Sequence, residues 1–427
     1  MMRAGAEASD RFRRIATAGI FFQGGAAAID TGTIVATLVH TLTGGSALAV
    51  GAAAAIARAG WLVPQLFIGY IAEKHARRMP LYMLGAFGRA ACLGILAGVL
   101  WLGARLPGEI LIALFFAVWT IYSFMSGIVA VPYNDIVARS VPSERRSRLL
   151  ALRFFGGGVL ALIVAAAAHR LLAALPFHEA YAAVVLLGAV LLLGSAVLFV
   201  SAGEPQASAA PTEEKGGFVA FLYGGLVVLG GDRRFRLFVI AQLLGGVAAM
   251  ALPFYILQAA RTAGGAVPNA ALLLGAQMAG ALLSNPLWGW WGDRVGKASL
   301  LGLSSGLGVL PPALTLAWIG AAEGQGFAEA ASLPWFAAVF ALLGAAGSGG
   351  TIAQLGYLME ISPDDRRPAY SGYFNALIAP ATLLPIAGGA LAEATTLATV
   401  FAAGGVAAGL QVLLVRRLTA LETGGER

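Results

Sequence analysis

The dominant feature of this sequence is a series of twelve predominantly apolar runs, each long enough to cross a lipid bilayer. About 20 apolar residues suffice for a transmembrane helix, and only 11% of the residues are charged, against about 25% in soluble proteins. The runs fall at about 15–39, 46–70, 80–103, 110–132, 150–174, 180–202, 236–260, 268–291, 298–320, 334–359, 371–393 and 396–415. We therefore predict an all-α integral membrane protein with twelve transmembrane helices.

The basic residues are distributed unevenly between alternate loops. The termini and the even-numbered loops hold 23 of the 28 Lys and Arg residues, the opposite side holds three, and Arg58 and Arg89 lie inside helices. Because Lys and Arg are enriched in cytoplasmic loops, both termini are predicted to be cytoplasmic. The same topology accounts for the net charge of +7, so we expect the chain to contact a lipid bilayer and no nucleic acid.

The two halves of the chain repeat each other. Gly69 and Gly289, each followed by an acid and then basic residues, are separated by 220 positions, and the segments that begin at Pro142 and Pro363 are separated by 221. A duplication of six helices is typical of transporters whose halves rock around a site at the middle of the membrane. The predicted organisation is an N-terminal six-helix bundle at 1–202, a cytoplasmic linker with an interfacial helix at 203–235, and a C-terminal six-helix bundle at 236–427.

Two loop motifs carry a family resemblance. The loop after helix 8, GWWGDRVGK from Gly289, resembles the motif of the major facilitator superfamily (MFS), in which Gly, Asp, Arg, Gly and a basic residue recur after helices 2 and 8. The copy after helix 2, GYIAEKHARR from Gly69, has Glu73 in place of the Asp and Ala76 in place of the second Gly. The resemblance implies a pseudo-symmetric six-plus-six fold, transport by alternating access, and a cavity lined by helices 1, 4, 7 and 10.

In both motifs an acid at a helix end stands beside basic residues. Such an acid can form a breakable ion pair that latches one conformation; alternatively, these charges only fix the topology and are solvated. The expected partners of Glu73 are Arg139, Arg145 or Arg146, and those of Asp293 are Arg366 or Arg367. The residues assigned to these cytoplasmic gates are Gly69, Glu73, Arg77, Arg78, Arg145, Gly289, Asp293, Arg294, Gly296, Lys297 and Arg366.

Three charged residues lie inside predicted helices: Asp30 in helix 1, Arg58 in helix 2 and Arg89 in helix 3. Each costs about 2.5–3.5 kcal/mol at a helix centre if unpaired, so pairing, hydration or a function is expected. In one interpretation Asp30 couples transport to a proton, because a carboxylate that gains and loses an arginine partner binds and releases a proton. In the other, a permanent pair of Asp30 with either arginine only holds the helices together. If both arginines reach the cavity, one acid against two arginines favours an organic anion as substrate. The family resemblance places helix 3 outside the cavity helices, so the alternative is a structural role for Arg89.

The helices that the resemblance places around the cavity carry further polar and aromatic candidates. Gln23 and Asp30 are seven residues apart and therefore share one face of helix 1. The others are Trp119 and Tyr122 on helix 4, Gln242 and Gln258 on helix 7, and Gln354 and Tyr357 on helix 10. A packing hydrogen bond between helices explains each of them singly. Only their convergence would make a site.

The segment between helices 4 and 5 resembles a branch of the superfamily. Pro132-Tyr133-Asn134-Asp135, followed by Glu144-Arg145 and Arg153, is similar to the same loop of the glycoside-pentoside-hexuronide cation symporters. Those symporters bind their cation through acids on helix 2, whereas helix 2 here contains Arg58 and no acid. Sodium-coupled sugar transport is therefore disfavoured.

Helix 5 begins with three consecutive glycines, Gly156 to Gly158. Drug–proton antiporters of the superfamily have a Gly-Pro step in this helix, but no proline lies between Arg153 and Leu172. The antiporter interpretation thus loses support, and the glycines allow close packing or bending of the helix.

The chemistry of an enzyme is missing from the sequence. Its four histidines and one cysteine are scattered, no nucleophile accompanies a base, and no GxxxxGK[ST] loop is present, so we expect no catalytic residue, metal or cofactor. The predicted function is proton-coupled secondary transport of a small organic solute by a monomer in the bacterial cytoplasmic membrane, with an organic anion as one candidate class of solute. The alternatives are efflux of a drug, amphiphile or lysolipid, cation-coupled glycoside symport, and a scaffold or sensor that does not transport.

Overall fold

A computed structural model describes residues 2–73, 77–205, 218–262, 267–324, 329–363 and 367–424 of the chain. All regular secondary structure in these residues is helical, which confirms the all-α prediction. The α-helices are α1 (Met2–Ala27), α2 (Ile34–Leu42), α3 (Ala47–Glu73), α4 (Met79–Trp101), α5 (Gly108–Ser140), α6 (Ser143–Ala174), α7 (Phe177–Ser201), α8 (Phe218–Gly231), α9 (Arg233–Ala249), α10 (Tyr255–Thr262), α11 (Val267–Arg294), α12 (Lys297–Leu307), α13 (Leu310–Gly324), α14 (Glu329–Ile361), α15 (Arg367–Ile378), α16 (Leu384–Ala394) and α17 (Leu397–Gly424). Short 3-10 helices occupy Gly103–Arg105, Leu252–Phe254 and Ala379–Leu383.

Eleven helical segments in the described residues are long and apolar enough to cross a membrane, where the sequence predicts twelve. They coincide with the second to twelfth apolar runs. The first run is the exception because α1 carries charges up to Arg14 and ends at Ala27, so its uncharged part is short. The chain then resumes as α2, whose residues 34–39 are buried.

Several predicted runs contain breaks that hydropathy does not reveal. The breaks separate α1 from α2, α9 from α10, α12 from α13 and α15 from α16. Two of them contain a proline, Pro253 or Pro380, at the start of a 3-10 helix, where its ring removes a backbone donor. The break in the first run lies at residues 28–33, and the break in the seventh run lies at residues 250–254. The number of positions between these two breaks is nearly the number between the two loop motifs.

The chain divides into two compact units. Unit 1 comprises Met1–Gly44, Ile56–Glu213 and Ala270–Gly275, and unit 2 comprises Gly45–Ala55, Glu214–Asn269 and Ala276–Arg427. In unit 1, α1 packs against α6 and α7, and α4 packs against α5 and α7. In unit 2, α9 packs against α17, and α12 packs against α14 and α17.

Aromatic rings and glycine notches hold unit 1 together. The ring of Phe199 on α7 contacts those of Tyr82 at 4.3 Å and Tyr133 at 5.0 Å between centroids. Gly60 of α3 faces Ser123 of α5 so closely that a Cβ atom at Gly60 would lie 2.5 Å from the Cβ of Ser123. Small residues at such contacts let membrane helices approach closely.

Unit 2 has an aromatic core of its own. The Phe238 ring lies 5.2 Å from that of Tyr357 and 5.1 Å from that of Phe374. At the end of α16, the Glu393 carboxylate accepts hydrogen bonds from the Ser46 hydroxyl at 2.7 Å and the Leu48 backbone N–H at 2.9 Å. This carboxylate therefore caps the beginning of α3, and the segment that it caps, within Gly45–Ala55, belongs to unit 2.

The short apolar segment that the sequence places in the linker, residues 217–230, forms the helix α8, Phe218–Gly231. Gly224 and Gly225 of α8 face the ring of Tyr373 on α15. Next to it, Asp232 begins α9 by accepting the Phe235 backbone N–H at 3.0 Å, and it also accepts the Tyr370 hydroxyl at 3.1 Å. The linker helix is thus anchored to unit 2, and its position at the membrane interface stays a prediction.

Candidate functional site

Two arginines converge on one aromatic ring inside unit 1. The guanidinium carbon of Arg89, on α4, lies 4.8 Å from the centroid of the Phe22 ring on α1, and that of Arg153, on α6, lies 5.5 Å from the same centroid. Arg153 also lies 5.0 Å from the ring centroid of Tyr133, on α5. Four helices therefore contribute to this cluster of Phe22, Arg89, Tyr133 and Arg153, which we call the arginine cluster.

The two guanidinium groups of the arginine cluster have few polar partners among the described residues. Arg89 is only 3% exposed, and its Nε has no hydrogen-bond partner in the described residues. Arg153 donates from one terminal nitrogen to the Tyr133 hydroxyl at 3.1 Å, but its buried Nε also has no partner there. None of the ion pairs within the described part of the chain reaches either guanidinium. Two positive charges thus lie together, and no carboxylate of the described residues pairs with either of them.

Glycines create the space that the cluster occupies. A Cβ atom at Gly19 would lie 2.7 Å from Cγ of Arg153, so the stem of this arginine fills the notch that the glycine leaves on α1. One helical turn away, Gly156 faces Ile20 and Gly157 faces Gln23. The three consecutive glycines are therefore explained, at two positions, by the close packing of α6 on α1. The predicted candidate Gln23 lies at this contact.

The helix 4 candidates lie beside Arg89. The phenol groups of Tyr82 and Tyr122 are within electrostatic range of the Arg89 guanidinium. Trp119 is 1% exposed and stacks on Tyr122 with 5.0 Å between centroids. The buried Trp119 ring therefore packs against Tyr122, and Tyr122 is the candidate that borders the arginine cluster.

Asp30 lies in the break between α1 and α2 and is not joined to the predicted arginines. Its Oδ1 atom accepts hydrogen bonds from the Gly32 backbone N–H at 3.0 Å and from the Thr33 hydroxyl at 2.9 Å. Its backbone carbonyl accepts the Val35 N–H at 3.0 Å. The described ion pairs include none between Asp30 and Arg58 or Arg89. Arg58 is half-buried on α3, so the three intramembrane charges do not form one cluster in this structure.

The predicted residues of unit 2 are buried or half-buried. Gln242 accepts a hydrogen bond from Gln411 at 3.4 Å, at a point where Gly245 faces the same Gln411 side chain. Tyr357 is fully buried in the aromatic core, Gln258 is 8% exposed, and Gln354 is half-buried.

The ends of α4, α5 and α7 carry a charge network that the sequence analysis missed. Arg139 donates to Asp135 at 2.6 Å and to Glu204 at 2.7 Å, and Arg78 lies 3.5 Å from the same Asp135 carboxylate. Glu204 also accepts the backbone N–H groups of Arg78 at 2.8 Å and Met79 at 3.0 Å, which begin α4. Spacing alone could have indicated the pair of Asp135 and Arg139, four positions apart on one helix. Nothing in the sequence indicated Glu204.

The surroundings of Glu204 alter its titration. Partial burial acts to raise its pKa, but the hydrogen bonds from Arg139 and from the two backbone N–H groups outweigh that effect and lower the pKa below its ordinary value. The carboxylate form is therefore the one that the network stabilises.

The motif after helix 2 is described only in part. Gly69 is described only as part of the helix α3, and the side chain of Glu73 lies outside the described residues, so the expected pairing of Glu73 stays a prediction. Arg77 and Arg145 are exposed, whereas Arg78 is 7% exposed and takes part in the charge network.

The motif after helix 8 is built around a glycine and a local ion pair. Gly296 has φ +111°, which only glycine adopts readily, and this residue separates α11 from α12. Asp293 pairs with Lys297 at 2.8 Å, and the exposed Arg294 lies 5.8 Å from the Trp290 ring centroid. No described atom comes within 4 Å of a Cβ placed at Gly289. Arg366 and the side chain of Arg367, the partners expected for Asp293, lie outside the described residues.

The sequence pattern of the Major Facilitator Superfamily matches residues 17–264 and 238–426, nearly the whole chain. The chain belongs to the major facilitator superfamily. No curated protein matches the sequence, but solved MFS-type transporters share the fold.

Three solved structures illustrate the likeness. A mutant of the nucleoside transporter NupG is 15% identical with a TM-score of 0.70, covering 96% of this chain and 99% of that one. A POT family transporter in complex with 5-aminolevulinic acid is 12% identical with a TM-score of 0.74, covering 95% of each chain. The xylose transporter XylE from E. coli is 13% identical with a TM-score of 0.65, covering 96% and 99%. At these identities the likeness shows the fold alone.

Membership of the superfamily indicates a multi-pass membrane transporter and not an enzyme. Within the described residues of this MFS protein, no group of three or more His, Cys, Asp or Glu side chains could hold a metal ion. The chemistry that the described side chains offer is instead that of buried arginines, a carboxylate at a helix break, and ion pairs at helix ends.

Proposed function

We propose that this MFS protein is a proton-coupled secondary transporter of a small organic anion in the bacterial cytoplasmic membrane, working as a monomer by alternating access. In this proposal α1 and α2 together form the first of twelve spans, both termini are cytoplasmic, and two six-helix bundles are joined by a linker with an interfacial helix. The observation that carries the proposal is an excess of positive over negative charge within the apolar runs of unit 1. Asp30 is opposed there by Arg58, Arg89 and Arg153.

Excess positive charge in a low-dielectric interior favours an anionic ligand. An uncompensated arginine costs about 2.5–3.5 kcal/mol at the centre of a membrane helix, and a bound anion offsets that cost. Guanidinium groups also bind carboxylate and phosphate groups through two parallel hydrogen bonds. These two effects support an anion over a neutral sugar or a lipophilic cation as the transported solute.

The position of Asp30 supports proton coupling. Its two side-chain hydrogen bonds both end on Oδ1, and they hold the turn that separates α1 from α2. Discontinuous membrane helices are where transporters of several folds bind substrates and coupling ions. A change in the environment of this carboxyl group during the transport cycle changes its proton affinity, which links protonation to the conformation of the helix break.

The test uses the purified full-length protein in proteoliposomes. A panel of organic phosphates, carboxylates, glycosides, lipophilic cations and lysolipids is first screened by thermal shift, because a ligand of the folded state raises its stability. The compound that gives the largest shift is then followed as a radiolabelled solute. An imposed pH gradient should drive its accumulation by the wild type. Asp30→Asn should lose that accumulation and keep counterflow exchange.

The control is Glu109→Gln, which removes an exposed acid at the start of α5. This variant should accumulate the solute like the wild type. Full gradient-driven accumulation by Asp30→Asn would refute proton coupling through Asp30, and preferential stabilisation by glycosides or lipophilic cations would refute the anion.

A further inference from the structure

We infer that Arg89 and Arg153 form a binding site for a doubly charged oxyanion, of the phosphate or sulfate class, beside Phe22. The inference deepens the proposed function, on which its role in transport rests, by naming the chemical group of the solute that the protein recognises. The site is the arginine cluster, which lies wholly in unit 1.

The number of charges favours a dianion. Arg89 is only 3% exposed, and its Nε lacks a hydrogen-bond partner among the described residues. The Nε of Arg153 is also buried and lacks a partner among those residues. A monocarboxylate would neutralise one of the two guanidinium groups and leave the other uncompensated. A phosphate monoester, which carries about −1.5 to −2 charge at neutral pH, neutralises both.

The two guanidinium groups lie close enough to bind one ligand. Because the guanidinium carbons are 4.8 and 5.5 Å from the same ring centroid, their separation is at most about 10 Å. An oxyanion that accepts N–H···O bonds of about 2.8 Å from both guanidinium groups requires no larger separation. The three or four oxygens of a phosphate or sulfate also accept more hydrogen bonds than a carboxylate can.

Phe22 and Tyr133 contact the two like charges and offset part of their mutual repulsion. A ring face attracts a cation, and the hydroxyl of Tyr133 accepts one Arg153 hydrogen bond at 3.1 Å. Neither group neutralises a guanidinium charge, so both arginines retain their full attraction for an anion. The donors are already in place, which lowers the ordering cost of binding.

A cleft elsewhere in unit 1 also contains arginines but has no such excess of positive charge. It is lined by Arg11, Arg139, Glu204 and Pro205. There Glu204 is paired with Arg139 at 2.7 Å, and Arg11 donates to the Ala202 carbonyl at 3.0 Å. The cleft supplies its own anion, so the oxyanion site is assigned to the arginine cluster.

Isothermal titration of the full-length protein in nanodiscs tests the site. Inorganic phosphate, sulfate and acetate are titrated at matched ionic strength. The wild type should bind phosphate and sulfate at least about ten-fold more tightly than acetate, and the ratio of phosphate to sulfate shows which oxyanion the site prefers. Arg89→Gln and Arg153→Gln should each weaken phosphate binding about 10–100-fold, the loss expected for hydrogen bonds to a charged group. Arg170→Gln, an exposed change on the same helix as Arg153, should bind like the wild type.

Thermal unfolding separates binding from folding. Because Arg89→Gln removes an uncompensated buried charge, the ligand-free variant should unfold at the same temperature as the wild type or higher. A purely structural Arg89 predicts a lower unfolding temperature and unchanged phosphate affinity in the folded fraction.

A second pair of variants alters the site without changing its charge. Gly19→Ala places a methyl group 2.7 Å from Cγ of Arg153, so it should displace that side chain and weaken phosphate binding. Gly94→Ala adds the same methyl group where no described atom lies within 4 Å, and should leave binding unchanged.

The inference is overturned if acetate binds as tightly as phosphate, or if the folded Arg89→Gln and Arg153→Gln variants bind phosphate like the wild type. Its failure is distinguishable from that of the proposed function. Oxyanion binding without any solute flux would contradict transport and leave the site standing. Proton-driven flux of a solute without phosphate or sulfate, unaffected by Arg89→Gln, would overturn the site and leave proton-coupled transport standing.

Discussion

Arg139, in the last turn of α5, and Glu204, just after α7, form an ion pair at 2.7 Å in which both side chains are largely buried. The same carboxylate receives the backbone N–H groups of Arg78 and Met79 at the start of α4. One acid thus fastens three helix ends together, and it lies in the segment between the sixth and seventh apolar runs, where sequence alone assigns no structural role.

Glu204→Gln should lower the stability of the protein. The substitution removes a charge-assisted hydrogen bond and weakens a helix cap, which together are worth about 1–3 kcal/mol. Glu109→Gln, at an exposed position, should change stability by less than about 0.5 kcal/mol. Thermal unfolding in nanodiscs measures both, and equal unfolding temperatures for the two variants would contradict the network.

The contribution of Glu204 should depend on pH. The pKa of its carboxyl group is lowered in the folded protein, so its stabilisation is complete above the ordinary value of 4.5 and disappears as the pH falls through the lowered pKa. The difference in unfolding temperature between the wild type and Glu204→Gln should be constant from pH 7 to about pH 5.5 and shrink in more acidic buffer. A difference that grows on acidification would contradict this assignment.

The hydrogen bonds and the charge of Asp30 should contribute separately to the stability of the protein. Asp30→Ala removes the acceptor for Gly32 and Thr33, at a cost of about 1 kcal/mol, as for other helix caps. Asp30→Asn keeps an acceptor oxygen in the same place and should unfold within about 0.5 kcal/mol of the wild type. Chemical denaturation of the purified variants measures both values. If Asp30→Asn is as unstable as Asp30→Ala, the charge itself holds the helix break.

Gly296 and Gly289 provide a matched pair in the motif after helix 8. Gly296→Ala forces a side chain onto a backbone with φ +111° and ψ 156°, which should cost about 1–3 kcal/mol. Gly289→Ala lies inside α11 with open space around the new methyl group, so it should be neutral or stabilise by about 0.5–1 kcal/mol. Gly296→Ala should therefore unfold at a lower temperature than Gly289→Ala. The reverse order would contradict the structural roles given to these two glycines.

Hydropathy and charge distribution predicted most of the helices, because an apolar run of spanning length has few other stable structures. They did not predict the breaks. The Asp30 side chain holds the break after α1 through hydrogen bonds with Gly32 and Thr33, which a window average of hydropathy does not detect. Pro253 and Pro380 lie within apolar runs whose hydropathy stays high.

The arginine cluster was only half visible in the sequence. Arg89 was recognisable because it interrupts an apolar run, whereas Arg153 was counted among the basic residues that set topology. Its side chain turns towards α1 because Gly19, more than 130 positions earlier, leaves room for it. Such a pairing depends on tertiary packing, and no local pattern in one sequence encodes it. The same holds for Glu204 and Arg78, which are 126 positions apart.

The most direct test of proton-coupled anion transport is a measurement of proton movement. Proteoliposomes that contain the full-length protein and a trapped pH-sensitive dye are mixed with organic phosphates or carboxylates, without an imposed gradient. The account predicts that an anion transported by the wild type moves protons with it, and that Asp30→Asn abolishes the dye signal. Transport of a radiolabelled anion by the wild type without any change in internal pH would contradict the account.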